Sequence, residues 1–311
     1  MYLEQLEVGS SVKDFFILQD FAVRMSKTGK EFFSMKLRRN QEIINAFDWD
    51  KVSQLTAEHI GSVVWLFGTV TMFNETKQFT VINAVPATDD TQYNLRDLLP
   101  VAPIDVDECL SEIYTAIWNM KDEQYKSITE SIINKIECDF KILPAGKTVH
   151  HSFISGLLMH TTNMLKIAQS VLSIYSCYMD KDLVVAGIIL HDIGKLIEYT
   201  TSDFGLITGV SVKGELEGHL VSGAFMIDRE ATSLCIDSNH RDMLVHILLS
   251  HHGIPDYGAA VTPKTIEAEL VHQIDGLDSK IQIYCEALDK IGTSGVSEKI
   301  FSLGHCVVKH E

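Results

Sequence analysis

The sequence predicts a chain built from two different parts, an N-terminal β-barrel and a C-terminal all-α domain. Residues 1–86 contain short segments rich in Phe, Val and Ile that are separated by turn residues, which is the pattern of strands. From residue 146 onward, apolar residues recur at spacings of three and four, which is the pattern of helices. A length of 311 residues, of which 46% are hydrophobic and 22% charged, is sufficient for two packed domains.

Five strands and one helical link account for the N-terminal part. The link is expected over residues 50–60, and turn residues such as those of SKTGK and FNETK separate the strands. This count is typical of a small Greek-key barrel; the oligonucleotide-binding (OB) fold is one such barrel, and other five-stranded barrels share the count. We therefore expect an OB-like, nucleic-acid-binding barrel over residues 1–86. Its strands are expected over 12–25, 30–39, 42–49, 62–73 and 77–85.

A linker and a helical connector are expected over residues 87–145. Residues 87–103 have the composition of a loop and end with Pro100 and Pro103, after which helical spacing begins. The all-α domain is expected over residues 146–311. Helices are expected over 104–122 and 124–140 in the connector, and over 150–175, 182–199, 217–231, 241–253 and 263–291 in the domain.

The acidity of the chain belongs to its later part. The formal net charge is −16; residues 1–86 hold 9 Lys and Arg against 10 Asp and Glu, whereas the rest of the chain holds 17 against 32. This balance excludes a diffuse electrostatic grip on nucleic acid as the only mode of binding, because phosphates need local positive charge. A metal site or a local basic groove would supply that charge.

Basic and aromatic residues surround the second predicted strand of the barrel. OB surfaces bind single strands through basic side chains and aromatic stacking. Strand alternation puts Phe32 and Phe33 on opposite faces, so one of them is expected in the core. For any single one of these basic and aromatic residues, a place in the core or on a solvated face is at least as well supported as contact with nucleic acid. The group comprises Lys27, Lys30, Lys36, Arg38 and Arg39, with Phe32, Phe33 and Trp49 nearby.

The sequence favours a cytoplasmic protein over a membrane or exported one. It contains no stretch of about 18 apolar residues, so we expect no membrane span. Residues 1–10 lack a basic flank and an apolar run, so we expect no signal peptide. The six cysteines are far apart and form no C-x-x-C pair, which argues against a cysteine zinc site and for reduced thiols.

Histidines are the unusual feature of the composition, since there are 13 and all but His59 lie at or beyond residue 150. The most informative segment is LHDIGK, where adjacent His and Asp at a helix end offer a nitrogen ligand and a carboxylate that can bridge two ions. Imidazole with carboxylate suits manganese, iron or zinc better than calcium. The candidate ligands come from separate predicted helices, as around an internal metal centre. They are His160, the adjacent His191 and Asp192, His219, the pair His251 and His252, and Asp275.

Three positions near these ligands have a second interpretation. Asp278 lies three residues after Asp275 on the same helical face, and we favour Asp275 as the ligand. His252 is the weaker candidate of its pair with His251. His272 either supports a ligand or simply packs.

Five further residues also leave alternatives open. His150 and His151 open the first predicted helix of the domain and either reach the substrate or are structural. Lys195 either places positive charge on a scissile phosphate or is a solvated surface lysine. His219 could line a helix and His160 could be a core histidine, but their places in the order of motifs favour ligands.

That order is a His, then His-Asp followed by Gly-Lys, then a His, then a His pair, then a late Asp, and it resembles the HD-domain metal-dependent phosphohydrolases. In that family the HD pair, an earlier His and a later Asp hold one metal, and further histidines hold a second. The resemblance implies His160, His191, Asp192 and Asp275 as the core set. His219 and His251 match the additional ligands.

Metal-assisted phosphoester hydrolysis is the reaction that these residues favour. Two metals bridged by Asp192 would lower the pKa of a bound water and stabilise charge on a phosphate. Neither a phosphate-binding G-x-x-x-x-G-K-[ST] loop nor a dinucleotide-binding G-x-G-x-x-G occurs in the sequence, and no Ser-His-Asp or Cys-His arrangement is evident. Asp192 and Lys195 are the predicted catalytic residues.

The barrel and the HD motifs together resemble the YhaM-type 3′→5′ exoribonucleases over nearly the whole chain. The resemblance implies manganese-favoured removal of nucleoside 5′-monophosphates from the 3′ end of single-stranded RNA, and of single-stranded DNA too. It also implies a homo-oligomer. The segments that carry it include KTGKEFFSMKLRR, VWLFGTV, HHSFISGLLMHT, LHDIGKLIEY, GHLVSG, LSHHG and EAELVHQIDGLDSK.

Two other functions fit part of the pattern. An HD phosphodiesterase could act on nucleotides or cyclic dinucleotides, but such an enzyme has little need of a strand-binding barrel. A non-enzymatic regulator that binds single-stranded nucleic acid could carry a degenerate HD domain, but here every expected ligand position is filled. Stepwise release of mononucleotides from an oligomer would favour the exoribonuclease over the phosphodiesterase. Transition metal bound to the purified protein would favour an enzyme over the non-enzymatic regulator.

Overall fold

A computed structural model of the chain describes residues 6–40, 42–88, 93, 95–146, 151–175, 177–202 and 204–310. The chain divides into two compact units. The first comprises Met1–Val101 with Thr201–Thr208, and the second comprises Ala102–Thr200 with Gly209–Glu311. The domain boundaries predicted after residues 86 and 145 stay predictions.

Five strands of the first unit close into a barrel in the order β1-β2-β3-β5-β4. β3 and β5 run parallel, whereas the other described strand pairs are antiparallel. A closed five-stranded barrel confirms the predicted OB-like architecture. The strands are β1 (Ser11–Met25), β2 (Glu31–Arg39), β3 (Glu42–Asp48), β4 (Val63–Phe73) and β5 (Thr76–Pro86).

Alternating side chains fill the interior of the barrel, as the period of two predicts. Phe16, Leu37, Leu66 and Phe79 are fully buried, and the rings of Phe16 and Phe79 meet edge to face. Burial of each such side chain contributes about 1.5–3 kcal/mol relative to its exposure. These residues therefore hold the barrel closed.

The helical link predicted over residues 50–60 is wrong for most of its length, because only a 3₁₀ turn at Ala57–His59 is helical there. The buried carboxylate of Asp48 accepts the backbone N–H groups of Val52 and Ser53 at 3.0 and 2.8 Å. An aspartate that binds the backbone ahead of it favours a turn over a helix.

The second unit is mainly helical, as predicted. The sequence analysis did not predict two short two-stranded sheets: β6–β7, which lies between α6 and α7 in the chain, and β8–β9, which follows α9. The four-residue helix α1 belongs to the first unit, within a segment predicted as loop. None of the described helices combines the length and the apolar character needed to cross a bilayer. In chain order the elements are α1 (Leu95–Leu98), α2 (Val106–Trp118), α3 (Glu123–Phe140), α4 (Gly156–Tyr175), α5 (Lys181–Leu190), α6 (Lys195–Glu198), β6 (Tyr199–Thr201), β7 (Ile207–Val210), α7 (Val212–Ser233), α8 (Ser238–Ser250), α9 (Ile266–Asp289), β8 (Gly295–Val296) and β9 (Val308–Lys309).

Two predicted helices have boundaries that the structure corrects. The helix predicted from residue 150 begins only at Gly156, because His151 and Ser155 adopt left-handed backbone angles, with φ of 47° and 63°. The helix predicted over 182–199 ends at Leu190, and a turn follows. Gly194 lies in that turn against the backbone of His219, where a Cβ atom would collide with the His219 carbonyl.

Candidate metal centre

Two helices of the second unit end at a histidine, and both histidines point one ring nitrogen back at their own helix. His191 caps α5 and His251 caps α8. The Nδ1–H groups donate to the carbonyls of Ile188 and Leu248 at 2.7 and 2.9 Å. Because a carbonyl can only accept, Nδ1 carries a hydrogen, and in the neutral ring the lone pair is on Nε2. Both rings are therefore oriented so that Nε2 is the nitrogen that can bind a metal.

Two further histidines are oriented by carboxylates. His160, in α4, donates from Nδ1 to Oδ2 of Asp278 at 2.7 Å, and His219 donates from Nδ1 to Oε2 of Glu198 at 2.6 Å. His219 follows a kink in α7 at Gly218, whose φ of 66° suits glycine. In both histidines, Nε2 is again the nitrogen left for a ligand role.

A first cluster brings together His160, His191 and Asp275. Their ligand atoms all lie within 4.8 Å of one another. Nε2 of His160 is 3.3 Å from Oδ1 of Asp275, and Nε2 of His191 is 3.2 Å from Oδ2 of Asp192. Both histidines are fully buried, and the Asp275 side chain is 18% exposed, so solvent reaches this cluster only at Asp275.

A second cluster comprises His219, His251 and His252, whose ligand atoms also lie within 4.8 Å of one another. The Nε2 atoms of His219 and His252 are 3.3 Å apart, a separation at which two imidazoles share a proton or a cation. Oδ1 of Asp192 is 3.8 Å from Nε2 of His219 and 3.7 Å from Nε2 of His251. The two oxygens of Asp192 therefore face different clusters.

The residues of both clusters fit divalent transition metals. Nε2 of His191 and Oδ1 of Asp192 are buried, and neither finds a hydrogen-bond partner in the described part of the chain. Leaving such groups without a partner is costly. A cation would satisfy both, and the donor set of imidazole nitrogen and carboxylate oxygen suits a transition metal.

The carboxylates of the centre are held in their charged forms. Burial by itself raises the pKa of Asp192, but Lys195 and His191 hold it well below its usual range. Burial also raises the pKa of Asp275, and the hydrogen bond from His160 outweighs burial and lowers it. Two negative charges between histidines, Asp192 buried and Asp275 partly buried, attract a cation.

The histidines respond differently to their surroundings. Burial, and then His191, lower the pKa of His251 well below its usual range, so this ring is neutral as a ligand must be. Burial lowers the pKa of His160 too, but hydrogen bonds to Asp275 and Asp278 outweigh burial and raise it to about 9. A cation bound at Nε2 of His160 would therefore displace a proton.

Lys195 is buried, which rules out the interpretation as a solvated surface lysine. Its ammonium donates to Oδ2 of Asp192 at 2.6 Å and to the carbonyl of Ala145 at 2.7 Å. Two of its three protons are therefore used within the protein. The predicted contact with a scissile phosphate stays a prediction.

All six predicted ligands lie in these two clusters or at their junction, and His252 joins them. Asp278 lies behind His160, whereas Asp275 faces its Nε2. His272 donates from Nδ1 to the carbonyl of His251 at 2.7 Å, as expected of a supporting residue. His151 is fully buried, with Nε2 3.5 Å from Asp278; His150 lies outside the described residues.

Sequence reasoning missed Glu198. Its partner, His219, lies 21 residues further along on another helix, so no helical spacing marks the pair. Burial by itself raises the pKa of Glu198, but the hydrogen bond from His219 outweighs burial and lowers it. Glu198 is therefore an ionised acceptor behind a candidate ligand.

Comparison with known proteins places the centre in a family. Residues 157–280, which span all six predicted ligands, match the family described as HD domain. Among solved structures, the second OB-fold domain of replication protein A from Methanococcus maripaludis covers 30% of this chain and 98% of its own, at 13% identity and a TM-score of 0.23. A TM-score this low supports no conclusion about the fold or the ligand of this chain.

Two curated relatives match almost end to end. The 3′-5′ exoribonuclease YhaM of Bacillus subtilis (strain 168) is 32% identical over 298 residues, covering 96% of this chain and 94% of the relative. The protein of that name from Listeria welshimeri is 32% identical over 302 residues, covering 97% and 95%. Identity of this extent, with an OB-like barrel and an HD domain in one chain, shows that the chain belongs to the YhaM family of 3′-5′ exoribonucleases.

Proposed function

We propose that this chain is a metal-dependent exoribonuclease that removes nucleoside 5′-monophosphates one at a time from the 3′ end of single-stranded RNA. The observation that carries the proposal is the buried Asp192 carboxylate, whose two oxygens face two different groups of ligand atoms. The direction of degradation is supported by the relatives, which are named 3′-5′ exoribonucleases. The chemistry is supported by the HD domain and its ligand clusters, since HD domains depend on divalent metals.

The centre would hold two ions, and we favour Mn²⁺ because imidazole and carboxylate ligands suit it. When bound, such ions lower the pKa of a water and accept phosphate oxygens. Asp192 would touch both ions, and Lys195 would keep its carboxylate charged and oriented. The first ion would be held by His160, His191, Asp192 and Asp275, and the second by Asp192, His219, His251 and His252.

An aromatic group on the barrel is the surface that we propose for the strand. The ring of Trp49 lies 4.5 Å from that of Phe32 and 5.7 Å from that of Phe47, and Trp49 is 40% exposed. The neighbouring Lys30 and Lys51 are paired with Asp50 and Glu31, so their charges are locally balanced. Base stacking therefore contributes more here than charge does.

Three further properties belong to this proposal. Stacking on aromatic rings does not require a ribose 2′-OH, so single-stranded DNA would also be a substrate. The family resemblance supports a homo-oligomer, in which exposed apolar side chains such as Val212 and Leu216 would be buried. The cytoplasm is the proposed compartment, because RNA is made and degraded there.

Substrates blocked at one end test the reaction directly. With Mn²⁺, single-stranded RNA that carries a 3′-terminal phosphate should resist degradation, whereas the same RNA blocked at its 5′ end should be consumed. A blunt duplex should also resist. Equal digestion of both blocked strands would overturn the direction, and activity on small nucleotides alone would favour the phosphodiesterase alternative.

A further inference from the structure

Four of the candidate ligand histidines, His160, His191, His219 and His251, donate from Nδ1, and they differ in the group that accepts. His191 and His251 donate to carbonyls of their own helices, which any residue type at those positions would provide. His160 and His219 donate instead to the side chains of Asp278 and Glu198, from α9 and α6. A carboxylate at these places depends on the identity of the residue, so its charge is a specific feature of this sequence.

The two carboxylates are distributed evenly between the clusters. Asp278 contacts His160 of the first cluster at 2.7 Å, and Glu198 contacts His219 of the second cluster at 2.6 Å. The Asp278 side chain is 9% exposed and that of Glu198 is 17% exposed, so solvent screens neither contact strongly. Each cluster therefore has one histidine with an anionic acceptor behind its metal-facing nitrogen.

We propose that Asp278 and Glu198 are positioning residues that set the affinity of the two ion sites separately, Asp278 for the first cluster and Glu198 for the second. The proposal rests on the proposed function for the presence of two ions. An anionic acceptor at Nδ1–H fixes the orientation of the imidazole and makes Nε2 a stronger ligand. Loss of such a partner typically lowers metal affinity about 10–100-fold.

Calorimetric titration of the metal-free, full-length protein with Mn²⁺ tests the proposal without RNA. Two reference variants assign the binding events: Asp275→Ala removes a candidate ligand of the first cluster, and His252→Ala removes one of the second. Asp278→Asn should weaken the event lost in Asp275→Ala about 10–100-fold and leave the other unchanged. Glu198→Gln should do the same to the event lost in His252→Ala.

Glu267→Gln is the matched control. Glu267 lies on α9 like Asp278, is equally enclosed, and accepts the backbone N–H of Asp180 at 2.9 Å. Its substitution should leave both Mn²⁺ affinities unchanged, whatever it does to thermal stability. A purely structural role for Asp278 would give the same result as this control, namely lower stability with normal Mn²⁺ binding, and would overturn the proposal.

Two other outcomes would overturn it: equal weakening of both events by either variant, or a single ion bound by the wild type. Should Asp278→Asn fail to fold, Glu198→Gln decides alone, because its side chain lies at a partly exposed position. Binding of two ions with the predicted selectivity, in a protein that leaves RNA intact, would refute the proposed function and support this proposal.

Discussion

The ammonium of Lys195 lies 2.6 Å from Oδ2 of Asp192, and both side chains are buried. The same ammonium donates to the carbonyl of Ala145, whose own N–H donates to the carbonyl of His151. Lys195 thus connects the carboxylate between the two clusters to the backbone at Ala145. The main role that this arrangement indicates for Lys195 is to pair with the Asp192 carboxylate.

Replacement of Lys195 tests that partnership. Lys195→Met leaves a buried carboxylate without its nearest cation, which typically costs about 3–5 kcal/mol. We expect the free energy of unfolding in urea to fall by that amount. Lys213→Met is the control, because the Lys213–Glu217 pair is long, at 3.8 Å, and partly exposed; such pairs contribute about 0–1 kcal/mol. Equal losses in the two variants would contradict the partnership.

Asp192→Asn tests the shared carboxylate. The amide keeps the size of the side chain and still accepts from Lys195, but it loses the charge that faces both clusters. We expect the rate of RNA hydrolysis to fall by at least about 10²–10³-fold, as on loss of one electrostatic stabiliser. Circular dichroism should show the wild-type fold. Normal turnover with full metal content would rule out a shared role for Asp192.

Trp49→Ala tests the barrel surface. Trp49 is partly exposed and stacks with Phe47, and loss of a base-stacking ring costs about 1–3 kcal/mol in binding. Fluorescence anisotropy with a labelled oligonucleotide should show this loss, whereas hydrolysis of a nitrophenyl phosphodiester should be unchanged. Trp118→Ala is the control, since Trp118 is 75% exposed but lies on α2. Equal effects on binding would exclude the barrel ring as a specific contact.

His240 gives a pH-dependent contribution to stability. It donates to Asp237 at 2.6 Å and to Asp122 at 3.0 Å, the N-caps of α8 and α3. Burial lowers the pKa of His240, but these hydrogen bonds outweigh burial and raise it. Because the pKa of His240 is raised in the folded protein, its protonated form stabilises the fold fully at pH values below the unfolded-state pKa of about 6.5. This stabilisation is lost as the pH rises through the pKa of the folded state.

His240→Gln should therefore lower the free energy of unfolding more at about pH 6 than at about pH 9. The capping aspartates do not reverse this difference, because their pKa values are lowered and their contributions are lost only in acid. Urea unfolding of wild type and variant at both pH values measures the difference. An equal loss of unfolding free energy at the two pH values would show that His240 is uncharged in the folded protein.

The order of motifs was enough to select the candidate ligands that the structure brings together in the first cluster, because each lies on a predicted helix or at its end. His191 ends an apolar run and Asp275 lies within the long helix α9. The barrel could be predicted for the same reason, since alternation and turn residues mark every strand. These signals are local, so they can be recognised in a single sequence.

Other features depend on contacts between distant segments and could not be predicted. Glu198 acts on His219 across a turn and a hairpin, and the burial of Lys195 depends on the carbonyl of Ala145, 50 residues away. The late start of α4 depends on left-handed backbone angles at His151 and Ser155, which no residue type there demands. Tertiary packing decides each of these.

The most direct test of the central claim, that Asp192 joins two ion sites into one RNA-degrading centre, is a time course on 5′-labelled single-stranded RNA with Mn²⁺. The wild type should produce a ladder of labelled fragments that shorten one nucleotide at a time from the 3′ end. Neither the wild type with a chelator nor Asp192→Asn should produce it. Internal cleavage products, or an unchanged ladder in the presence of the chelator, would contradict the claim.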